Sequence, residues 1–233
     1  MAKILVVGVY LANRPNTAVH LMYELQSSVA HTVVQRWAAI APGQRGRFDL
    51  PWTKMVLTER TPKFTILNQL ANDALDFDWL LLCDDDVEVS EGFLDWFIEL
   101  AGKYDFAVAQ PARTADSFID HPIVQVMPGL KARRTRFVEI GPVVCLRRDA
   151  IPLLLPFPED CGMGWGLDLV WPVRLERAGL RLGIVDAAPV AHRLRPPTAA
   201  YDGGEASQNM CWTLARHAHL GLDEAFTILD AYA

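Results

Sequence analysis

The chain has 233 residues, of which 51% are hydrophobic and 21% charged, a balance that excludes a disordered chain and permits a large buried core. With 22 basic and 28 acidic residues, its formal net charge is −6, which argues against nucleic-acid binding because that function needs a basic face. No segment reaches the ~18–20 uninterrupted apolar residues of a membrane span. Residues 1–8 carry one positive charge and no small-residue cleavage site, so they predict a first strand rather than a signal peptide.

The cysteines show neither close pairing nor metal-ligand spacing. They are Cys83, Cys145, Cys161 and Cys211. This pattern predicts reduced, buried thiols in a cytoplasmic protein.

The first half of the chain alternates strand and helix patterns. Residues 3–9 form a continuous apolar, β-branched run, which is typical of a strand covered on both faces. After a break at residues 13–17, apolar residues recur at helical spacing. Another helix is opened by Thr61 and Pro62, which suit its N-cap and first position. Further strands are expected at residues 31–40, 54–57 and 78–83.

The second half continues the alternation. Ser90 is the expected cap of the next helix, and residues 162–166 form a glycine-rich turn before a helix to about residue 177. Further strands are expected at residues 106–109, 137–146 and 181–185, with one or two closing helices over residues 205–229. The alternation predicts a single α/β domain with a mostly parallel central sheet flanked by helices.

Three carboxylates, Asp84, Asp85 and Asp86, directly follow the most buried strand pattern. In an open parallel sheet, ligands collect at the carboxyl ends of strands. Adjacent carboxylates repel one another and lose hydration, so a cation should compensate them, and their oxygens suit Mg²⁺ or Mn²⁺. The alternative is a solvated acidic turn before a helix. The sequence does not fit an EF-hand loop, because Val89 stands where that loop needs glycine, nor a haloacid-dehalogenase-like phosphatase, because Glu88 breaks its pattern.

Two later segments also carry candidate chemistry. Residues 162–168 combine three glycines with Trp165 and Asp168; glycine permits a positive φ and the close approach of a ligand, and tryptophan offers a flat apolar face for a sugar ring. The alternative is a tight turn with a core tryptophan and an N-capping aspartate. His192 follows the last strand pattern, and a neutral histidine is a common metal ligand, although a lone histidine is more often structural.

In this order and spacing, the three segments resemble the GT-A fold glycosyltransferases. Residues 63–89 look like the helix, strand and Asp-x-Asp element of that fold. Residues 164–168 are similar to its Gly-Trp-Gly plus acid element, and residues 185–192 to the strand and histidine that complete its metal site. The resemblance implies a GT-A-like domain over residues 1–192 and a C-terminal helical extension, residues 193–233, packed on the same domain.

The resemblance also implies roles on the donor side. Asp86 and His192 would coordinate a divalent metal, Mn²⁺ or Mg²⁺, bound to the diphosphate of a nucleotide sugar, expected to be a UDP-sugar. Asp84 would contact the ribose, or the metal through water, with Asp85 nearby. Base, ribose or phosphate contacts are expected at Tyr10, Arg14, Lys63 and Asn68, for which ordinary surface roles stay open.

On the acceptor side, the resemblance makes Asp168 the general base that removes a proton from the acceptor hydroxyl. Trp165 and Gly166 would wall the acceptor pocket. Many inverting members carry two acids after this turn, whereas here Leu167 precedes a single acid. The stereochemical outcome therefore stays open.

The expected function is metal-dependent glycosyl transfer to a carbohydrate or another hydroxyl acceptor. Two alternatives stay open: a nucleotidyltransferase that makes sugar nucleotides, and a non-catalytic nucleotide- or carbohydrate-binding module on the same fold. The helices after residue 193 could close over the donor, bind a second subunit in a homo-oligomer, or lie against a membrane.

Overall fold

The computed structural model describes residues 1–196 and 201–233. These residues form a nine-stranded sheet with helices on both faces. Its strands are β1 (Lys3–Leu11), β2 (Thr32–Ile40), β3 (Thr53–Leu57), β4 (Trp79–Cys83), β5 (Phe106–Arg113), β6 (Ala132–Thr135), β7 (Val143–Arg147), β8 (Arg181–Val190) and β9 (Ile228–Tyr232). The helices are α1 (Ala18–Gln26), α2 (Lys63–Leu70), α3 (Phe93–Lys103), α4 (Ile151–Leu154), α5 (Leu167–Arg177), α6 (Gly203–Arg216) and α7 (Leu222–Ala225).

The strand order across the sheet is β3-β2-β1-β4-β7-β5-β8-β6-β9. Within the described residues, β7 and β6 run opposite to the other seven strands, so the strand pairs divide evenly between parallel and antiparallel. The α/β class is confirmed, but the sheet is mixed rather than mostly parallel, because β7 lies antiparallel between β4 and β5. The carboxyl ends of those other seven strands still lie along the same edge of the sheet, which is the edge crossed by the strand ends and not an edge strand.

The core lies on both sides of the sheet, as the continuous apolar run of β1 predicts. Ile4 and Val6 pack with α1 and α3 on one face. Leu5 and Val7 pack with α2 and α5 on the other. Because successive strand residues point to opposite faces, a strand buried on both sides must be apolar at every position.

The carboxyl-terminal segment differs from the expectation of helices alone. Helices α6 and α7 are present, but the chain then forms β9, which pairs antiparallel with β6 at the edge of the sheet. Tyr232 of β9 stacks on Tyr104, with ring centroids 4.2 Å apart. The expected strand at residues 137–146 is confined to β7, and β6 was not predicted.

Three of the cysteines are buried and Cys211 is exposed, and all are free thiols. Among the described residues, every helix is too short or too polar to cross a membrane.

Candidate active site

Asp86 and His192 meet at the edge of the sheet where seven strands end. Asp86 follows β4 and His192 follows β8, and His192 Nε2 lies 3.4 Å from Asp86 Oδ2. A short antiparallel bridge causes this meeting: Glu88 N donates to Ala191 O at 2.8 Å, and Ala191 N donates to Glu88 O at 3.0 Å. The structure therefore brings the aspartate turn and the late histidine together, as the resemblance implies.

Asp86 is a buried carboxylate with one oxygen in use. Its Oδ2 faces His192 and also lies 3.1 Å from Arg195 Nη2. Its Oδ1 is buried and has no hydrogen-bond partner among the described residues. Burial raises the pKa of this carboxyl, but the hydrogen bond from His192 and the charges of Arg195 and Lys63 outweigh it and lower the pKa below its usual value. Asp86 is therefore an ionised group with an oxygen available to a cation.

The side chain of Asp85 is hydrogen-bonded within the protein and does not face a ligand site. Its side chain accepts a hydrogen bond from Leu11 N at 2.6 Å and pairs with Arg195. Only 3% of the residue is exposed, and burial raises its pKa to about 6 despite the charge of Arg195. Asp85 was predicted to contact the donor, and this prediction is wrong because its oxygens bind the loop after β1 and the segment after β8.

Asp84 forms a separate pair with Lys63. Lys63 Nζ lies 2.6 Å from Asp84 Oδ1 and 2.8 Å from Oδ2. A Cβ on Gly141 would lie 3.1 Å from Asp84 Oδ2, so the glycine leaves room for this pair. In the described part of the chain, no group of three or more His, Cys, Asp or Glu residues could hold a metal. In the structure Asp84 pairs with Lys63 rather than with Asp86 or His192, and its contact with the ribose or the metal stays a prediction.

Of the other predicted donor contacts, two are structural. Tyr10 is fully buried, and its hydroxyl lies 2.9 Å from Thr53 Oγ1; it presents no surface to a ligand. Asn68 uses both ends of its amide on the backbone of Phe157, at 2.9 and 2.8 Å. These two predictions are wrong. Arg14 is exposed in the loop after β1, and its donor contact stays a prediction.

The glycine–tryptophan turn packs between α2 and α6. Gly164 has a φ of +83°, and a Cβ there would lie 2.3 Å from Phe64 Cε2. Gly166 has a φ of +90° and is buried against α6, where a Cβ would lie 3.1 Å from Met210 Cγ. Gly166 therefore faces a helix rather than an acceptor, which corrects its predicted role. Trp165 is half-buried, and its Nε1 donates to Tyr201 Oη at 3.2 Å.

Asp168 lies in the first turn of α5 and is half-buried. Burial raises its pKa to about 6; the charge of His121 opposes this rise and that of Glu139 adds to it. The carboxylate form therefore prevails at neutral pH, while a proton taken up there is held more strongly than by an ordinary aspartate.

A buried ionic network behind the site was not predicted. Arg113 Nη1 donates to His192 Nδ1 at 2.6 Å, and Arg113 Nη2 pairs with Glu139. His121 Nδ1 lies 2.7 Å from the other oxygen of Glu139. Because a guanidinium only donates, Nδ1 of His192 accepts, and the proton of its neutral imidazole is on Nε2, facing Asp86.

Two sequence signals could have identified part of this network. Arg113 ends an apolar strand and Glu139 interrupts the apolar stretch at residues 137–140; a charged group in such a place is buried only with a partner. Arg195 and His121 carry no comparable signal. They lie in polar, proline-containing segments that resemble ordinary loops.

Comparison with known proteins places this arrangement in a known fold. No protein-family model and no curated protein sequence matches the chain. Solved structures do match it. The structure of GalNAc-T7 with UDP, GalNAc and Mn²⁺ has a TM-score of 0.57 and 12% identity, over 89% of this chain and 47% of that one. The chain has the GT-A fold.

Two further structures agree. Glucosyl-3-phosphoglycerate synthase from Mycobacterium tuberculosis, solved with Mn²⁺, UDP and phosphoglyceric acid, has a TM-score of 0.59 and 15% identity, over 95% of this chain and 80% of that one. TarS (residues 1–349) of S. aureus, solved with UDP-GlcNAc, has a TM-score of 0.58 and 10% identity, over 89% of this chain and 64% of that one. The chain thus spans about half of GalNAc-T7 but most of the mycobacterial enzyme.

Proposed function

We propose that the chain is a metal-dependent glycosyltransferase that moves a sugar from a UDP-sugar to an acceptor hydroxyl. The observation that carries the proposal is the meeting of Asp86 and His192, 3.4 Å apart, at the edge where seven strands end. The GT-A fold supports it, since the similar structures were solved with UDP or a UDP-sugar, two of them with Mn²⁺.

The residues present fit a divalent cation. Asp86 Oδ1 is buried and unpartnered among the described residues, and an ionised carboxylate oxygen is a ligand that Mn²⁺ and Mg²⁺ accept. His192 would join Asp86 through Nε2 in the neutral tautomer that carries its proton on Nδ1, which requires Arg113 Nη1 to leave Nδ1. Proteins often hold Mg²⁺ with one or two carboxylates together with substrate phosphates, so a third protein ligand is not required. When bound, the cation would neutralise the leaving diphosphate.

The chain's own residues supply the rest of the chemistry. The acceptor oxygen would bond to the anomeric carbon as the bond from that carbon to the diphosphate breaks, and Asp168 would take the acceptor proton. The diphosphate leaves with the electron pair of the broken bond. Lys63, held beside Asp84, brings a positive charge to the donor side. Trp165, held by Tyr201, would form one wall of the acceptor side.

Calorimetry with UDP, with and without Mn²⁺, tests donor binding. We expect UDP to bind more tightly when Mn²⁺ is present, because the diphosphate would complete the coordination of the cation. Equal affinity with and without Mn²⁺ would contradict the metal assignment.

A panel of UDP-sugars then separates an enzyme from a binding module. The donor that raises the melting temperature most in the presence of Mn²⁺ is incubated with the protein, and release of UDP is measured. We expect slow donor hydrolysis that a suitable hydroxyl acceptor accelerates. Donor binding without any release of UDP would favour the non-catalytic module.

A further inference from the structure

His121 is held in a fixed position between a buried glutamate and two aromatic rings. It lies in the loop between β5 and β6, with Nδ1 2.7 Å from Glu139 Oε1. Its ring centroid is 5.0 Å from that of Phe137 and 5.5 Å from that of Phe226. The imidazole is therefore oriented at one nitrogen and packed against two rings.

The glutamate that holds His121 is itself fixed. Glu139 is 5% exposed, and its second oxygen pairs with Arg113, which is 3% exposed. Its backbone N–H donates to the side chain of Gln110. Because Arg113 already balances the charge of Glu139, an imidazolium at His121 adds a net positive charge to this part of the site. Burial lowers the pKa of His121, but Glu139 and Asp168 outweigh it and raise the pKa above its usual value.

The charge of Asp168 raises the pKa of His121, and the charge of His121 lowers that of Asp168. Leu169, the next residue of α5, belongs to the same apolar cluster as Phe137 and Phe226, the two rings that contact His121. The start of α5 therefore lies in the neighbourhood of His121. Helices α6 and α7 form their ion pairs with other partners: Glu205 with Arg60, Arg216 with Asp160 and Glu224 with Arg136.

The charged groups around this pair act in opposite directions. Glu139 disfavours a second negative charge at Asp168, whereas an imidazolium at His121 favours it. Asp120, exposed in the same loop as His121, also favours the imidazolium. Without the cation, His121 would no longer oppose the effects of burial and of Glu139, which both raise the pKa of Asp168.

We propose that His121, held by the Glu139–Arg113 pair, is a positioning residue whose positive charge keeps Asp168 in the carboxylate form that a general base needs. The role of the base rests on the proposed function. The electrostatic coupling between the two side chains does not.

The coupling is tested by titrating the Asp168 side chain directly. The carboxyl carbon resonance of Asp168, assigned by its loss in Asp168→Asn, is followed from pH 4 to pH 9 by NMR in wild type, His121→Gln and His121→Lys. We expect the midpoint in His121→Gln to move to higher pH by about one pH unit, because the loss of a nearby opposite charge shifts the pKa of a carboxyl by that order. His121→Lys, which keeps a positive charge, should restore most of the shift. An unchanged midpoint in His121→Gln would overturn the inference.

The reciprocal measurement does not depend on a His121 variant folding. Because coupling between two sites is mutual, Asp168→Asn should lower the midpoint of the His121 imidazole resonance relative to wild type. No change in that midpoint would equally overturn the inference.

Turnover separates this inference from the proposed function. With an active donor, the acid limb of the pH profile of kcat/KM should move upward in His121→Gln and return in His121→Lys, while the affinity for UDP with Mn²⁺ stays unchanged. Lower turnover with an unmoved acid limb would overturn the positioning role. If wild type shows no transfer with any donor, the proposed function fails, and the two NMR titrations still decide the coupling.

Discussion

Among single residues, Asp86 is the one on which we expect donor binding to depend most under the proposed function. It combines burial, ionisation and an oxygen without a partner in the described chain. We expect Asp86→Asn to weaken Mn²⁺-dependent UDP binding by about 100-fold or more, since even replacing a partner of a metal ligand typically costs about 10–100-fold. Calorimetry with UDP and Mn²⁺ measures the loss.

The matched control for this change is Asp223→Asn, which removes an exposed carboxylate of α7. It should bind UDP and Mn²⁺ as wild type does. Equal affinity for UDP with Mn²⁺ in Asp86→Asn and wild type would show that Asp86 is not part of the donor site.

Asp168 gives a prediction about stability that has an unusual sign. Its folded pKa, about 6, lies above the ordinary value of 3.8, so between those values the folded state holds more protons than the unfolded state. The free energy of unfolding therefore falls as pH rises through this window, and the deficit persists at neutral pH. Asp168→Asn, which cannot ionise, should be more stable than wild type at pH 7, with the difference vanishing near pH 3.

Urea denaturation of both proteins at several pH values measures this difference. The same variant should keep its UDP affinity but lose turnover, and the acid limb of kcat/KM in wild type should fall near pH 6. An Asp168→Asn protein that is active would place the base elsewhere, and one that is less stable than wild type at pH 7 would contradict the cost of ionisation.

From the sequence, the residues that follow the strands could be identified, whereas pairing between residues far apart in the chain could not. Asp86 and His192 each follow an apolar strand, and the resemblance to the GT-A fold implied that the two would meet. The partners of Arg113 and Arg195 could not be predicted, because His192 and the aspartate turn lie 79 and 110 residues away from them. Tyr10 was misassigned for a different reason. It lies near the end of β1, close to the site in the chain, but its ring points into the core.

At the scale of elements, the glycine–tryptophan turn has a steric requirement that can be measured. At Gly164, an alanine would combine a positive φ with a Cβ 2.3 Å from the Phe64 ring. Strain of about 1–2 kcal/mol and overpacking of about 1–3 kcal/mol predict a loss of roughly 2–5 kcal/mol in the free energy of unfolding. Chemical denaturation of Gly164→Ala tests this.

Gly129→Ala separates the two causes. Gly129 has a φ of +86°, but a Cβ there would meet nothing within 4 Å, so only the backbone strain applies. It should cost about 1–2 kcal/mol. Equal costs at the two positions would mean that Phe64 moves aside easily and does not fix the turn.

Elements differ in how far their sequence predicts them. β1 and β4 are apolar at nearly every position because helices cover both faces of the sheet there. β9 has mostly exposed side chains, so its strand depends on pairing with β6 rather than on its own pattern. Edge strands of this kind lack the periodicity that identifies a strand in a sequence.

For the whole molecule, one buried ion pair connects the second half of the sheet. Arg133 of β6 and Asp186 of β8 are fully buried at their side chains and joined by two hydrogen bonds of 2.9 and 3.0 Å. Arg133 also donates to the carbonyl oxygens of Ile123 and Gln125. Asp186 belongs to the segment that resembles the metal-site strand, but in the structure it fixes a loop rather than facing Asp86.

Asp186→Ala should therefore lower the free energy of unfolding by about 3–5 kcal/mol, because it leaves a buried guanidinium without its carboxylate. The exposed pair on the same strand, Arg134 with Asp230 at 3.4 Å, provides the control: Asp230→Ala should cost no more than about 1 kcal/mol. Thermal and urea denaturation compare the two. Similar costs would show that the buried pair is not needed to hold β6 on β8.

The class of the whole fold could be predicted, whereas the direction of each strand could not. Alternating strand and helix patterns identify an α/β domain. Strands that are apolar at every position predict a sheet with a core on both of its faces. β7 and β6 carry no pattern that distinguishes a parallel from an antiparallel neighbour, because both pairings bury the same side chains. Their direction depends on contacts formed only in the complete sheet.

Arg195 gives the carboxylates of Asp85 and Asp86 a positive neighbour from within the chain. Any ion that arrives at Asp86 must share it with this guanidinium or displace it, and the measured affinity is the difference between the two arrangements. Arg195 therefore competes with a bound cation for the carboxylate of Asp86. The affinity of Asp86 for a small cation alone is therefore reduced. A ligand that also carries an anionic group would pair with the displaced Arg195 and restore part of that affinity.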